Sequence, residues 1–428
     1  DTNWVVPLGP NVNGFEDDLK RFVTSVVNSK EKESSFIDES YPQSILPHED
    51  NPDNLWKDSL PNLEDKRVVA LCSGTAAVHL SLIALGVKAG DEVICQSFTF
   101  CASSHPVTYL GATPVFVDSE KETWNMDPSL LDEAIKDRIS KTGKKPKAII
   151  VVYLYGMPAK IKEILAVADK YNIPVVEDAA EGLGSRYNGQ VCGTFGEYGV
   201  LSFNGNKMIT TSGGGALICP NEAARTEVMF YATQAREGYP YYQHEKIGYN
   251  YRLSNVCAGI GRGQMTVLDE HIAHHRHIAH LYEVAFSKID GITFHANPSP
   301  MFDSNYWLNT MTIDPSVKVK GQENAYQSTV KGAVGGAAGV IHAVADAHTD
   351  CEPNANIEAM RVYLDKANIE SRPLWKPMHK QPCYQNCPAY ITGVSESLFK
   401  IGMCLPSGPL VTDDDVNYIV ETIKSAIK

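Results

Sequence analysis

Val68-Val-Ala-Leu-Cys-Ser73-Gly74-Thr75-Ala76-Ala-Val-His-Leu-Ser-Leu-Ile-Ala-Leu-Gly86 passes from an apolar strand, through a Ser-Gly-Thr turn, into a helix with apolar residues at helical spacing. The first N–H groups of such a helix have no intrahelical acceptor, and the helix dipole adds positive character at the same point. With the Thr75 hydroxyl beside them, an anion, and a phosphate above all, is the natural guest. Ser-Gly-Thr also opens ordinary helices, so the unit must be read with its neighbours. It carries neither Gly-x-Gly-x-x-Gly nor Gly-Lys-Ser/Thr, so neither a dinucleotide fingerprint nor a P-loop competes for it.

Downstream, Ile173-Pro-Val-Val-Glu-Asp178-Ala-Ala-Glu181-Gly-Leu-Gly184 reads as a short buried strand ending in a carboxylate pair. Open α/β sheets bind ligands at such strand ends. A carboxylate there suits a buried pyridinium nitrogen, and Asp178 is the candidate. Glu177-Asp178 reads equally well as a helix N-cap ahead of Ala-Ala-Glu. About thirty residues on comes Leu201-Ser202-Phe-Asn-Gly-Asn-Lys207-Met-Ile-Thr-Thr-Ser-Gly-Gly-Gly215, a lone amine before a glycine run. Desolvation or an aldehyde partner turns a lysine into a nucleophile, and glycines admit close backbone approach to a bulky group. Taken alone, Lys207 is an exposed turn lysine; after the phosphate turn and Asp178 it fits a Schiff-base lysine.

Seven short apolar runs organise the first half: Val68 to Cys72, Glu92 to Gln96, Thr113 to Asp118, Ala148 to Tyr153, Pro174 to Asp178, Gly199 to Phe203 and Gly215 to Cys219. Helical or glycine-bearing stretches separate most of them, which predicts an α/β fold with a mainly parallel seven-stranded sheet and helices on both faces. At 428 residues the chain exceeds one ordinary domain. The expected division is a large domain over 1–255, then a linking helix and a smaller α+β domain over 256–428. Residues 31–65 are acidic and carry Pro42, Pro47, Pro52 and Pro61, and read as an irregular excursion. Residues 318–355, with Gly-Ala-Val-Gly-Gly-Ala-Ala-Gly, read as an insertion in the smaller domain.

The segments Ser73-Gly-Thr-Ala-Ala, Gln96-Ser-Phe-Thr-Phe100, Glu177-Asp-Ala-Ala-Glu181, Ser202-Phe-Asn-Gly-Asn-Lys207 and Gly248-Tyr-Asn-Tyr-Arg-Leu-Ser254 occur in that order. Together they resemble the DegT-type nucleotide-sugar aminotransferases, from Asn3 to the C-terminus. The resemblance implies aminotransferase fold type I and pyridoxal 5'-phosphate as cofactor, with Lys207 bonded to it and Asp178 facing its ring nitrogen. It assigns Gly74, Thr75 and Ser202 to the phosphate, and Phe100 to the cofactor face, where a core phenylalanine is the other reading. Glu181 stands where the family has Gln or His against the cofactor's phenolic oxygen, a site at which a carboxylate repels unless protonated or turned away. Asn250 would complete the phosphate site of a neighbouring subunit, which implies a homodimer with active sites at the interface. Related sugar dehydratases carry histidine at the lysine position, so Lys207 implies amination, with L-glutamate as the expected donor.

On the acceptor side, Asn368-Ile-Glu-Ser-Arg372-Pro-Leu-Trp375-Lys376-Pro-Met-His379 resembles the family's nucleotide-sugar motif, supplying cations for phosphates and an aromatic stacking face. His379 reads equally as a structural histidine, and Arg236 and His244 as substrate-loop residues or solvated ones. With Gly248-Tyr-Asn-Tyr-Arg-Leu-Ser-Asn255, this wording is nearest to enzymes that aminate C4 of a UDP-linked 4-keto-6-deoxy-N-acetylhexosamine, the bacillosamine route. C3 transaminases on dTDP- or GDP-sugars, and a non-catalytic nucleotide-sugar binder, share the same cofactor residues. The family also implies a longer N-terminal lead than the one opening at Asp1.

A net charge of -13 argues against nucleic acid and anionic membrane as partners. No apolar run approaches the ~20 residues that span a bilayer, and no signal peptide is visible. Ten cysteines lack any Cys-x-x-Cys and lie partly in apolar runs, which points to free thiols in a reducing cytoplasm. His271 and His275 share a helix face at a zinc-compatible spacing, but no carboxylate lies between them and Arg276 follows. A surface or interface helix is the preferred reading, and no metal is expected.

Overall fold

The computed structural model describes residues 9–25, 62–325 and 351–428. Most of the proline-rich stretch 31–65 and of the insertion 318–355 lies outside the described residues. Helix α1 (Pro10–Val23) buries Val12, Phe15, Leu19 and Val23, one apolar stripe at helical spacing. Strand and helix then alternate through β1 (Arg67–Leu71), α2 (Gly74–Ala84), β2 (Glu92–Gln96), α3 (His105–Tyr109), β3 (Thr113–Val117), α4 (Pro128–Thr142), β4 (Ala148–Val152), α5 (Ile161–Tyr171) and β5 (Val175–Asp178). A two-strand excursion, β6 (Arg186–Tyr187) and β7 (Gln190–Val191), precedes β8 (Tyr198–Ser202), β9 (Gly215–Cys219) and α6 (Glu222–Ala232). All seven apolar runs are strands of one sheet.

The main sheet has eight strands, not seven, in the order β1-β9-β8-β5-β4-β2-β3-β14. β9 runs antiparallel to both its neighbours and the other pairings are parallel. β4, β8 and β9 are buried at every position. Strands covered on both faces need continuous Val, Ile and Leu rather than alternation, which is why they stood out as apolar runs.

Helices α7 (Asn255–Met265) and α8 (Leu268–Phe286) lead on to β10 (Ile292–Phe294), β11 (Phe302–Asp303), β12 (Asn309–Ile313), α9 (Ala355–Lys366), β13 (Arg372–Pro373), β14 (Ala389–Tyr390), α10 (Val394–Ile401), β15 (Gly402–Leu405) and α11 (Asp413–Ala426). β10, β12, β15 and β13 form a second sheet, and β11 joins β6 and β7 in a third. α8, α9 and α11 pack a separate core around Tyr282, Met311, Met360 and Ile423. β14 instead crosses back and pairs with β3, placing Ala389 opposite Phe116 and Tyr390 opposite Val117.

That return is held by Asp118, a fully buried carboxylate just past β3. It accepts N–H bonds from Thr392 (2.9 Å), Gly393 (2.8 Å), Val394 (3.2 Å) and Ser395 (3.1 Å) at the start of α10. Gly393 offers no side-chain cap, so a carboxylate from the main sheet does that work. Burial alone would raise the Asp118 pKa, but the donors from Ser395, Ser119 and Gly393 outweigh it and hold the acid below its ordinary value.

The histidines of α8 serve packing and surface contacts. His275 is buried, and burial pushes its pKa down to about 4, with His274, His271 and Arg276 adding to the fall. His277 bonds Asp413 at 2.8 Å. None of the described cysteines is paired in a disulfide, and no described helix is long and apolar enough to cross a membrane.

Candidate active site

The C-terminal ends of β1, β2, β4, β5 and β8 converge on one cavity of about 330 Å³. Parallel strands aim their helix-bearing ends at the same edge, so residues far apart in sequence meet there. After β1, Ser73 caps α2 by accepting the Ala76 N–H at 3.0 Å, and Gly74 and Thr75 line the cavity. A Cβ on Gly215 would come within 2.3 Å of the Ser73 carbonyl carbon, so the turn rests directly on β9 and only glycine fits there. Ser202, at the end of β8, lines the same pocket. Two hydroxyls and a helix start around one point suit a phosphate.

Asp178, the last residue of β5, lies within the cavity and is 5% exposed. Its oxygens accept Ser103 Oγ at 2.6 Å and the Ala180 N–H at 3.2 Å, while burial raises the pKa of the acid. The adjacent Glu177 points to the opposite face of the strand, as pleating requires. There it accepts the N–H groups of Gly193 (2.8 Å) and Gly196 and the hydroxyl of Tyr153. The carboxylate pair therefore divides into one cavity group and one core group, not a helix cap.

Lys207 also lies in the cavity, with Nζ 3.5 Å from Glu181 Oε1 and 4.0 Å from the centre of the Trp307 ring. Burial pushes the Glu181 carboxyl up to about 7, although Lys207 and the Tyr155 N–H oppose the rise. Glu181 is thus turned towards the lysine rather than away from the cavity. Phe100 is 53% exposed, with its ring centre 5.3 Å from that of Trp375, so it is a cavity wall and not a core residue.

The acceptor-side residues separate. Trp375 lines the cavity and donates its N–H to Tyr155 Oη at 2.9 Å. Lys376 is half-buried outside the lining. His379 does not line the cavity either: Nδ1 meets Ser97 Oγ at 2.7 Å and Nε2 meets Glu396 at 3.1 Å, so both ring nitrogens tie its loop to neighbouring elements. Arg236 lies over the Tyr242 ring at 4.1 Å, His244 Nδ1 is 2.9 Å from the Gln234 carbonyl, and both are exposed away from this cavity. Asn250 is exposed, bridged to Thr233, and does not reach the chain's own pocket.

Several site residues escaped the sequence reading. Trp307, Ser103 and Tyr155 carry no local signal, because each is placed by chain that is distant in sequence: Trp307 by Lys207, Ser103 by Asp178, and Tyr155 by Glu181 and Trp375. Asn305 joins them: its Nδ2 donates to the Glu181 carbonyl at 2.8 Å, and its Oδ1 accepts the Trp307 N–H at 2.8 Å. Gly156, at φ 96°, sits so close that an added Cβ would fall 2.0 Å from Asn305 Oδ1. Only that glycine could have hinted at the crossing.

A small, largely buried pocket with a phosphate-shaped turn, a buried carboxylate and a lysine fits pyridoxal phosphate by size and by donor set. Residues 60–334 and 336–424 match the DegT/DnrJ/EryC1/StrS aminotransferase family. EpsN of Bacillus subtilis strain 168, whose name describes a pyridoxal phosphate-dependent aminotransferase, is 40% identical over 426 residues, covering 99% of this chain and 89% of that protein. The GDP-perosamine synthase of Escherichia coli O157:H7 is 34% identical over 355 residues, 82% of this chain and 83% of that protein. A crystal structure of a DegT DnrJ EryC1 StrS aminotransferase from Brucella abortus superposes with a TM-score of 0.75 at 24% identity, covering 98% of this chain and 91% of that one, and shows the same fold. The chain belongs to the DegT/DnrJ/EryC1/StrS aminotransferase family, and pyridoxal phosphate is its cofactor.

Proposed function

We propose that this sugar aminotransferase moves an amino group from L-glutamate to C4 of UDP-2-acetamido-2,6-dideoxy-4-keto-hexose. The observation that carries the amination is Lys207 itself, an amine in the cavity beside Asp178 and Glu181 where a dehydratase would have histidine. Gly74, Thr75 and Ser202 hold the phosphate in this reading, Asp178 faces the ring nitrogen, and Phe100 covers one face. Bound there, pyridoxal phosphate supplies an electron sink that makes the substrate Cα–H acidic. Lys207 moves the proton, Asp178 keeps the electron sink charged, and the aromatic residues Phe100, Trp307 and Trp375 exclude water. Trp375 presents a stacking face for the sugar nucleotide, with Lys376 next to it in sequence as a counter-charge, while Arg372, in β13, is paired with Glu370 at 2.7 Å.

The working unit is a homodimer, with Asn250 delivered to the partner's phosphate site. What supports this is the exposed apolar surface carried by Tyr239, Tyr241, Tyr242, Ile247, Val256 and Ile260, on the loop and helix that flank Asn250. A reducing cytoplasm is part of the same proposal, supported by cysteines of which none is paired in a disulfide among the described residues. A second reading, a GDP-linked acceptor, is favoured by the perosamine synthase relative. Incubation with glutamate and a panel of UDP-, dTDP- and GDP-linked 3- and 4-keto-sugars, following 2-oxoglutarate, separates the two. Turnover confined to the UDP-4-keto-N-acetyl sugar supports the first reading; turnover confined to GDP- or 3-keto-sugars replaces it.

A further inference from the structure

The cavity contains a charged pair that phosphate binding and ring stacking do not need: Lys207 and Glu181. Glu181 is 4% exposed. Its Oε2 is taken by the Tyr155 N–H at 2.7 Å, and Tyr155 is itself fixed at φ 56°. Asn305 holds the Glu181 backbone carbonyl at 2.8 Å. The side chain therefore cannot swing to solvent, and its remaining oxygen, Oε1, faces Lys207 Nζ at 3.5 Å. The Trp307 ring also packs against the amine, its centre 4.0 Å from Nζ, and is held by Nε1 donating to the Asn206 carbonyl at 2.6 Å.

We infer that Glu181 is the internal proton acceptor of Lys207 and stores within the cavity the proton that the lysine must shed to become a nucleophile. The inference rests on the reading that Lys207 carries the cofactor. Paired as ammonium and carboxylate, the two are neutral overall. An ammonium has no lone pair with which to attack a carbonyl carbon, so Glu181 Oε1 first takes one proton, R–NH3+ and a carboxylate becoming R–NH2 and a carboxylic acid. The C–N bond to the cofactor's carbonyl carbon then forms as the two protons left on nitrogen depart with the carbonyl oxygen as water, and the first proton stays on Glu181, leaving a neutral nitrogen and a neutral acid in the buried cavity. The proton returns when Lys207 is released.

The surroundings favour that exchange. Without the ammonium, the described groups that act on Glu181 are the Tyr155 N–H and phenol, the Asp178 carboxylate on β5 and the buried thiol of Cys404 on β15, none of them a cation. Asp178 disfavours a second negative charge nearby, Cys404 is pushed by burial up to about 12, and a buried lone carboxylate is strongly disfavoured. Burial has already brought the Glu181 carboxyl up to about 7 with the ammonium in place, so the loss of that cation favours the acid further.

Infrared difference spectroscopy of the full chain, with and without pyridoxal phosphate, tests this. A carboxylic-acid carbonyl band should appear on loading, shift in heavy water, and vanish in Glu181→Gln, which keeps an acceptor for the Tyr155 N–H. Should that variant unfold, Glu181→Asp keeps the acid and takes its place as the second variant: with carbon-13 on glutamate the band of the unsubstituted chain moves, whereas the band of Glu181→Asp does not, which separates Glu181 from the buried carboxylates Glu177 and Asp178. Absence of a band, its survival in Glu181→Gln, or its failure to move on labelling overturns the inference. Borohydride trapping on the same samples keeps the two failures apart. Cofactor fixed to Lys207 without the band defeats the proton store alone, whereas no cofactor on Lys207 defeats the reading of the site.

Discussion

At the scale of single residues, Lys207, Asp178 and Glu181 divide the work of one cavity by their environments. Lys207→Ala should lower transamination by about 10³-fold or more while leaving the chain folded, because the side chain moves protons and Glu181, deprived of the ammonium, can take up a proton in its place. Turnover assay and calorimetry check the two halves of that expectation. Asp178→Asn should lower kcat by about 10²-fold or more, since the amide cannot hold a positive ring nitrogen; stopped-flow of the glutamate half-reaction would reveal it, and an unchanged rate would remove Asp178 from this role. Lys207, Asp178, Thr75 and Ser202 were legible in the sequence because each sits at the end of an apolar strand or within five residues past it, and a parallel sheet brings strand ends together. Phe100 stayed ambiguous until its exposure was known. Trp307, Ser103 and Tyr155 could not be read, since nothing in their local sequence records what crosses above them. Among the acceptor-side candidates, Trp375 lines the cavity while His379, Arg236 and His244 are occupied elsewhere, a distinction that depends on loop paths and not on residue type.

At the scale of elements, strands buried on both faces announced themselves as unbroken apolar runs, whereas β14 is two residues long and has no pattern to read. What holds β14 is the Asp118 carboxylate and its donors from α10. Asp118→Asn should destabilise the fold by about 1–3 kcal/mol, because the amide loses the charge that several N–H groups share. The pH dependence has a definite sign. The folded pKa of Asp118 lies below its unfolded value, so its stabilisation is present above the unfolded value near 4 and is lost as pH falls through the folded one. Urea unfolding at pH 7 and pH 3 should show the variant's deficit shrinking at the lower pH. A deficit of equal size at both would mean that packing, not charge, is what Asn disturbs.

At the scale of the whole molecule, the sheet edge that builds the cavity lies in one chain, while Asn250 and the apolar residues around it face outwards. If each cofactor site draws on two chains, Lys207→Ala and Asn250→Ala damage different sites of a mixed dimer. Co-folding equal amounts of the two inactive variants should recover about a quarter of full activity, since half the dimers are mixed and each mixed dimer keeps one intact site of two. No recovery would place Asn250 outside the partner's site. The central claim, that the strand ends assemble a cofactor site around Lys207, is met most directly by reducing the purified protein with borohydride and mapping the retained cofactor by peptide mass. The expected result is pyridoxyl phosphate on the peptide containing Lys207 and on no other; an unlabelled Lys207, or label on a different lysine, would contradict it.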